Sequence, residues 1–227
     1  MTHIARNLVV ANLITITDLN DDCLFELVKY LELADQLSLW QTTEIQSRLS
    51  SIICLTWQRV LTHSLNYATF ETCEEILDEF VECIEDTVNV LELIDIPVRI
   101  LEQWITKYNL SQVQSLACAL SEEDRDNDSE YISKLQQLFP LVRCLQLREQ
   151  LHVVETPIWD TADELWDMIA TCPRLEVLYI SGQKTDKWFF TWDRELMHYV
   201  LKTRARPLSL YFHRLEPHKE LTDFILL

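Results

Sequence analysis

Between Asn20 and Val60 the apolar residues recur at helical spacing. Asn20 can accept a hydrogen bond from a first-turn N–H, and Asp21 and Asp22 follow where the helix dipole favours negative charge. Leu24, Leu27, Val28 and Leu31 then fall at i, i+3, i+4 and i+7, which sets them on one stripe flanked by Cys23 and Tyr30. The polar break Glu32-Leu33-Ala34-Asp35 precedes a second run carrying Leu37 and Trp40, and Ile45, Leu49, Ile52, Ile53, Trp57 and Val60 continue the period. Residues 1–65 hold neither glycine nor proline, so the spacing predicts two or three helices joined by short polar turns.

From about residue 66 the pattern changes to an alternation of strand and helix. Five segments share one template of apolar, two residues, apolar, one residue, apolar: Val88-Leu91-Leu93, Val113-Leu116-Cys118, Val142-Leu145-Leu147, Leu175-Leu178-Ile180 and Pro207-Leu210-Phe212. Successive first positions lie 25 to 33 residues apart, a repeat with a drifting period. Between them run helical stripes: Ile76, Leu77, Phe80 and Ile84; Leu101, Trp104, Ile105 and Tyr108; Ile132, Leu135 and Leu138; Leu165, Trp166 and Ile169; Leu196, Tyr199 and Val200. Thr161 and Ser129 are suitable N-caps, and Pro97, Pro140, Pro157 and Pro173 punctuate the junctions. One strand plus one helix per repeat predicts a short α/β solenoid, although any α/β fold with parallel strands would give similar spacing.

The expected class is thus α+β to α/β, with an all-helical module over 1–65 and a repeat domain over 66–227. In a solenoid the residue between the last two apolar positions of each strand points to the open concave face: Glu92, Ala117, Gln146, Tyr179 and Tyr211. The run Lys187-Trp188-Phe189-Phe190-Thr191-Trp192 is dense in aromatics for a connection. It is either part of a contact surface, through Trp188, or a set of rings closing the end of the core.

The stretch Leu19-Asn20-Asp21-Asp22-Cys23-Leu24-Phe25-Glu26-Leu27-Val28-Lys29-Tyr30-Leu31 resembles the opening of an F-box. Ala34-Asp35-Gln36-Leu37 is similar to its second block, and Ile53-Cys54-Leu55-Thr56-Trp57 to its closing Val-Cys-x-x-Trp. Asn20 replaces the family proline, Asp22 its glutamate, and the second and third blocks are about twice as far apart as usual. The surplus is close to three helical turns, so residues 41–52 either extend a helix in phase or form a loop. The resemblance implies that Leu19, Leu24, Leu27, Val28, Leu31, Leu37 and Trp57 pack on one another or insert into a Skp-type adaptor that binds a cullin scaffold. The residues alone leave a stripe that packs only within the chain equally open.

The later repeats resemble leucine-rich repeats, which F-box proteins often carry. Their usual Asn or Cys position is held by Ile96, Ser121, Gln150, Gln183 and Leu215, so the match is degenerate. By this resemblance Glu92, Gln146, Tyr179, Trp188 and Tyr211 would meet a protein substrate, and the chain would be the substrate-recognition subunit of an SCF-type ubiquitin ligase. The other reading is a leucine-rich-repeat scaffold or inhibitor whose N-terminal helices serve as a cap.

Composition narrows the chemistry. Of the net charge of −18, most arises in residues 66–140, with 17 acidic and 4 basic side chains, a field that repels nucleic acid and anionic lipid. The single glycine, Gly182, excludes phosphate-cradling loops and dinucleotide fingerprints. Seven cysteines with no CxxC pair argue against a zinc site or disulfide scaffold and for free thiols in a reducing cytosol or nucleus. No apolar run is long enough for a membrane span, and Arg6, Asn7 and Asn12 interrupt Met1–Ile16 as a secretory signal. No catalytic motif is present; His152 beside Asp160 and Asp163 reads as surface, and Asp124, Asp126 and Asp128 lack the glycine and distal glutamate of an EF-hand. The expectation is a protein without catalytic residues, metal or cofactor that binds protein, located in the cytoplasm, the nucleus or both.

Overall fold

The computed structural model describes residues 16–44, 46–119, 128–148, 166, 169–182, 194–216 and 219–226. The chain divides into two compact units, Met1–Thr56 and Trp57–Leu227.

In the first unit three helices form where the apolar period predicts them: α1 (Asp21–Lys29), α2 (Leu33–Gln41) and α3 (Arg48–Arg59), the last running across the division. Asn20 caps α1, its Oδ1 accepting from the N–H of Cys23 at 2.8 Å. The C-terminal end of the same helix is closed by a distant side chain. Buried Gln36 donates through Nε2 to the carbonyls of Val28 (3.0 Å) and Leu31 (2.8 Å); the first already accepts from the Leu31 N–H at 3.1 Å. Leu24, Val28, Leu37, Leu49, Ile52 and Ile53 are buried, and Arg48 pairs with Asp21. Residues 41–52 are not one continuous helix: Gln41 ends α2, and residues 48–52 open α3. α2 stops at Gln41, and the hydroxyls of Thr42 and Thr43 both donate to Leu39 O, at 2.9 and 2.7 Å. Gln46 then takes the left-handed backbone (φ 64°) before Ser47 accepts from Ser50 N at 3.1 Å and α3 begins.

The second unit carries a seven-stranded sheet in strict chain order: β1 (Thr62–Asn66), β2 (Val90–Ile94), β3 (Ser115–Ala119), β4 (Cys144–Arg148), β5 (Val177–Gly182), β6 (Ser209–Glu216) and β7 (Lys219–Leu226). β1 to β6 are parallel, and β7 turns back antiparallel on β6. The five template segments are thus strands β2 to β6. β2 to β5 enter the sheet by the same turn, in which one carbonyl receives two N–H groups from the next unit: Leu61 O from Asn89 and Val90, Asn89 O from Gln114 and Ser115, Gln114 O from Arg143 and Cys144, Arg143 O from Glu176 and Val177. The leading apolar residues Val88, Val113, Val142 and Leu175 are buried beneath these turns; ahead of β6 the buried residue is Leu208 rather than Pro207.

β1 falls inside the region read as all-helical, and Trp57 and β1 both belong to the sheet unit, so the division lies ahead of the expected 65/66 boundary. Val60-His63-Leu65 fits the strand template with a histidine in an apolar place. His63 is buried, donates from Nε2 to Trp57 O at 3.1 Å, and meets Phe80 edge-on at 5.2 Å. Phe80 also packs on Trp57 at 4.8 Å and near Phe70 at 6.4 Å, an aromatic cluster at the β1 end.

Helices α4 (Glu74–Ile84), α5 (Val98–Lys107), α6 (Asp128–Leu138) and α7 (Arg194–Thr203) lie between strands, and residues 169–171 are helical. Ser129, expected as an N-cap, lies within α6; Thr161 and Leu165 lie outside the described residues. The stripes of α4, α5 and α6 supply Leu77, Phe80, Leu101, Trp104, Ile132 and Leu135 to the core, but Tyr199 of α7 is exposed. Three of the acidic side chains are paired from one helix to the next: Glu74 with Arg99, Asp78 with Lys107 and with Trp104 Nε1 at 3.2 Å, Glu102 with Lys134 at 2.7 Å. Arg204 is half-buried and directs its guanidinium at the carbonyls of Ile169, Cys172 and Leu175, tying α7 to the preceding unit; burial lowers its pKa from the ordinary arginine value.

Candidate functional site

Alternation along each strand sends Leu91 and Leu93, Leu116 and Cys118, Leu145 and Leu147, Leu178 and Ile180 into the core. The residues between them form the other face, which is only partly buried. Because every pairing keeps the same register, one row crosses the sheet: Ser64, Glu92, Ala117, Gln146, Tyr179, Tyr211. Four of the five residues expected to meet a substrate, Glu92, Gln146, Tyr179 and Tyr211, are therefore brought together. Trp188 lies outside the described residues, as do His152, Asp160, Asp163, Asp124 and Asp126.

The row divides into two chemistries. At the β5–β6 end Tyr179 and Tyr211 stack with centroids 4.5 Å apart and planes 16° from parallel, and Tyr179 remains 39% exposed. Partial burial, and then the neighbouring Tyr211, pushes the Tyr179 phenol above its ordinary value, so it stays a hydrogen-bond donor at neutral pH. At the β2–β4 end Arg148 donates to Glu92 Oε1 at 2.8 Å and to Gln146 Oε1 at 3.1 Å. It reaches two strands across because β3 presents only Ala117 and Ala119 between them. Sequence reasoning missed Arg148 and Ser64. Arg148 could have been found, since it stands two residues beyond Gln146 and so shares its face. The row offers aromatic area, hydrogen-bond donors and a fixed ion pair, which suits contact with a polypeptide. Among the described residues no group of three or more His, Cys, Asp or Glu is placed to hold a metal ion, and no helix is long and apolar enough to cross a membrane.

The residues expected to meet an adaptor separate by burial. Leu24, Val28, Leu37 and Trp57 are inside the chain, Trp57 against Phe80, and as folded they are not available to a partner. Leu19 is half-buried. Leu27 (46% exposed), Leu31 (37%) and neighbouring Tyr30 (82%) stand in solvent. An adjoining cleft of about 470 Å³ is lined by Ile16, Leu24, Leu39, Thr42, Thr43 and Leu49, among others.

Compared with family models, curated proteins and solved structures, the chain matches none.

Proposed function

We propose that the chain is a non-enzymatic substrate-recognition subunit of an SCF-type ubiquitin ligase, in which the helical unit is an F-box hook for a Skp-type adaptor linked to a cullin. The sheet unit is then a short leucine-rich-repeat-like solenoid whose open face holds a protein substrate for ubiquitination and degradation, in the cytoplasm, the nucleus or both. The observation that carries the reading is the division of α1: Leu24 and Val28 face inward, while Leu27, Tyr30 and Leu31 are exposed on a helix whose sequence resembles an F-box opening. Burying an exposed leucine contributes about 1.5 to 3 kcal/mol, so two of them beside a tyrosine can anchor an interface. The in-register row from Ser64 to Tyr211 supports the substrate half, since a repeated strand presents one side chain per unit to a common partner.

Co-expression of the full chain with a Skp-type adaptor, followed by size-exclusion chromatography, tests this directly. The two co-elute, and Leu27→Asp with Leu31→Asp abolishes co-elution while leaving the thermal midpoint within about 2 °C, because neither side chain is in the core. A wild-type chain that elutes alone overturns the receptor reading in favour of a leucine-rich-repeat scaffold.

A further inference from the structure

A second surface lies at the edge where the parallel strands begin. Three arginines from successive units, Arg143, Arg174 and Arg206, converge with Ser111, Gln112 and Gln114 on a cleft of about 340 Å³. In a chain of net charge −18 this is a local reversal of sign.

Two of the arginines that line the cleft also hold a carboxylate of the chain's own beside it. Glu176 is held between two of the arginines, its Oε2 accepting from Arg143 at 2.7 Å and its Oε1 from Arg206. Arg143, and then Arg206, draw its pKa below the ordinary value. The cleft is therefore already arranged to grip an oxyanion. It also has capacity left. A guanidinium has five N–H donors, and the side chains of Arg143 and Arg206 are each about half exposed. Arg174 makes no ion pair with any described residue, and the side-chain amides of Gln112 and Gln114 have no hydrogen-bond partner among the described residues. Charged forks backed by neutral donors suit a group with three acceptor oxygens and about two negative charges.

From this geometry we infer that the Arg143–Arg174–Arg206 cleft binds a phosphate monoester carried on a peptide, a phosphoserine or phosphothreonine segment. An extended polyanion, whether nucleic acid or an anionic bilayer, would bring many charges against the acidic remainder of the chain. A single dianion on a flexible segment meets only the cleft. The inference does not depend on the ubiquitin-ligase reading: the cleft lies on the strand-entry edge, apart from the row Ser64 to Tyr211, and adaptor binding can fail while this site stands.

The test uses the full chain and fluorescent peptide pools with one fixed phosphoserine in random flanks, compared with the same pools carrying serine. The phosphorylated pool binds and the serine pool does not, and binding weakens as salt is raised. Arg174→Gln reduces affinity about tenfold or more, as expected for losing a charge-assisted bond, and does so without a change in thermal midpoint because the side chain has no ion-pair partner among the described residues. Glu176→Gln removes the resident carboxylate and tightens binding, which a purely structural arginine cluster would not produce. Equal binding of the two pools overturns the proposal. So does an Arg174→Gln chain with wild-type affinity, a Glu176→Gln chain with no gain, or Arg174-dependent binding to phosphatidylserine vesicles or a single-stranded oligonucleotide in place of the peptide.

Discussion

His63 occupies an apolar slot, and that single substitution hid β1 from the sequence pattern. Burial lowers its pKa from 6.5, with the Trp57 and Val60 backbone partly opposing the shift. The unfolded chain takes up a proton on this residue near its ordinary value, and the folded chain resists doing so. Its contribution to stability is therefore full above about pH 6.5 and falls as the pH drops below that value towards the depressed folded one. His63→Leu loses a hydrogen bond worth about 0.5 to 1.5 kcal/mol at neutral pH but removes this acid penalty. Urea midpoints of the two proteins at pH 7.5 and pH 5 then converge or cross on acidification; a constant difference would show that His63 does not titrate across unfolding. Trp57 gives the complementary lesson. Its place in an F-box-like block suggested an adaptor contact, but aromatic rings that can meet, as Trp57 and Phe80 do, are decided by tertiary packing that no local spacing encodes.

At the scale of elements, α1 was legible because cap, acidic first turn and apolar period agreed. The break between α2 and α3 was not, because the chain makes it without glycine or proline: threonine hydroxyls stop one helix and Gln46 takes the left-handed turn. The two ends of α1 also differ in energetic weight. Asn20 is exposed, so water can replace its amide, and Asn20→Ala costs about 1 kcal/mol. Gln36 is buried and donates to two carbonyls, so Gln36→Ala removes two hydrogen bonds from a buried position and costs about 1 to 3 kcal/mol. Chemical denaturation of both variants decides the matter, and the reverse order would mean that the Gln36 bonds are not retained in solution. Strands β2 to β6 were the most legible elements, since two apolar positions on one face of each recur along the chain. The antiparallel return of β7 breaks that rhythm and left no such signature.

Across the whole molecule, the row Ser64 to Tyr211 could be read in advance because one register holds from pair to pair. The arginine cleft could not, since Arg174 and Arg206 stand three residues ahead of β5 and β6 but Arg143 only one ahead of β4, so no single register position marks all three. The acidic excess of the middle third was visible, but the three ion pairs that link one helix to the next were not. Strand order also determines how damage spreads. Each strand is bonded only to its chain neighbours, so a cavity is felt locally. Leu145→Ala, at a fully buried position of β4, costs about 2 to 5 kcal/mol, and amide exchange accelerates most in β3, β4 and β5 and least in β1. Uniform acceleration from β1 to β7 would instead mean a single cooperative block.

The same strand order bears on how the protein is made. A nascent chain leaves the ribosome at about 5 to 20 residues per second, slowly enough for local structure to form during synthesis. In this sheet every strand that emerges finds its only preceding partner already synthesised, and no strand must wait for a distant segment. Assembly can thus proceed outward from β1 one unit at a time, until β7 folds back on β6 and ends the parallel series.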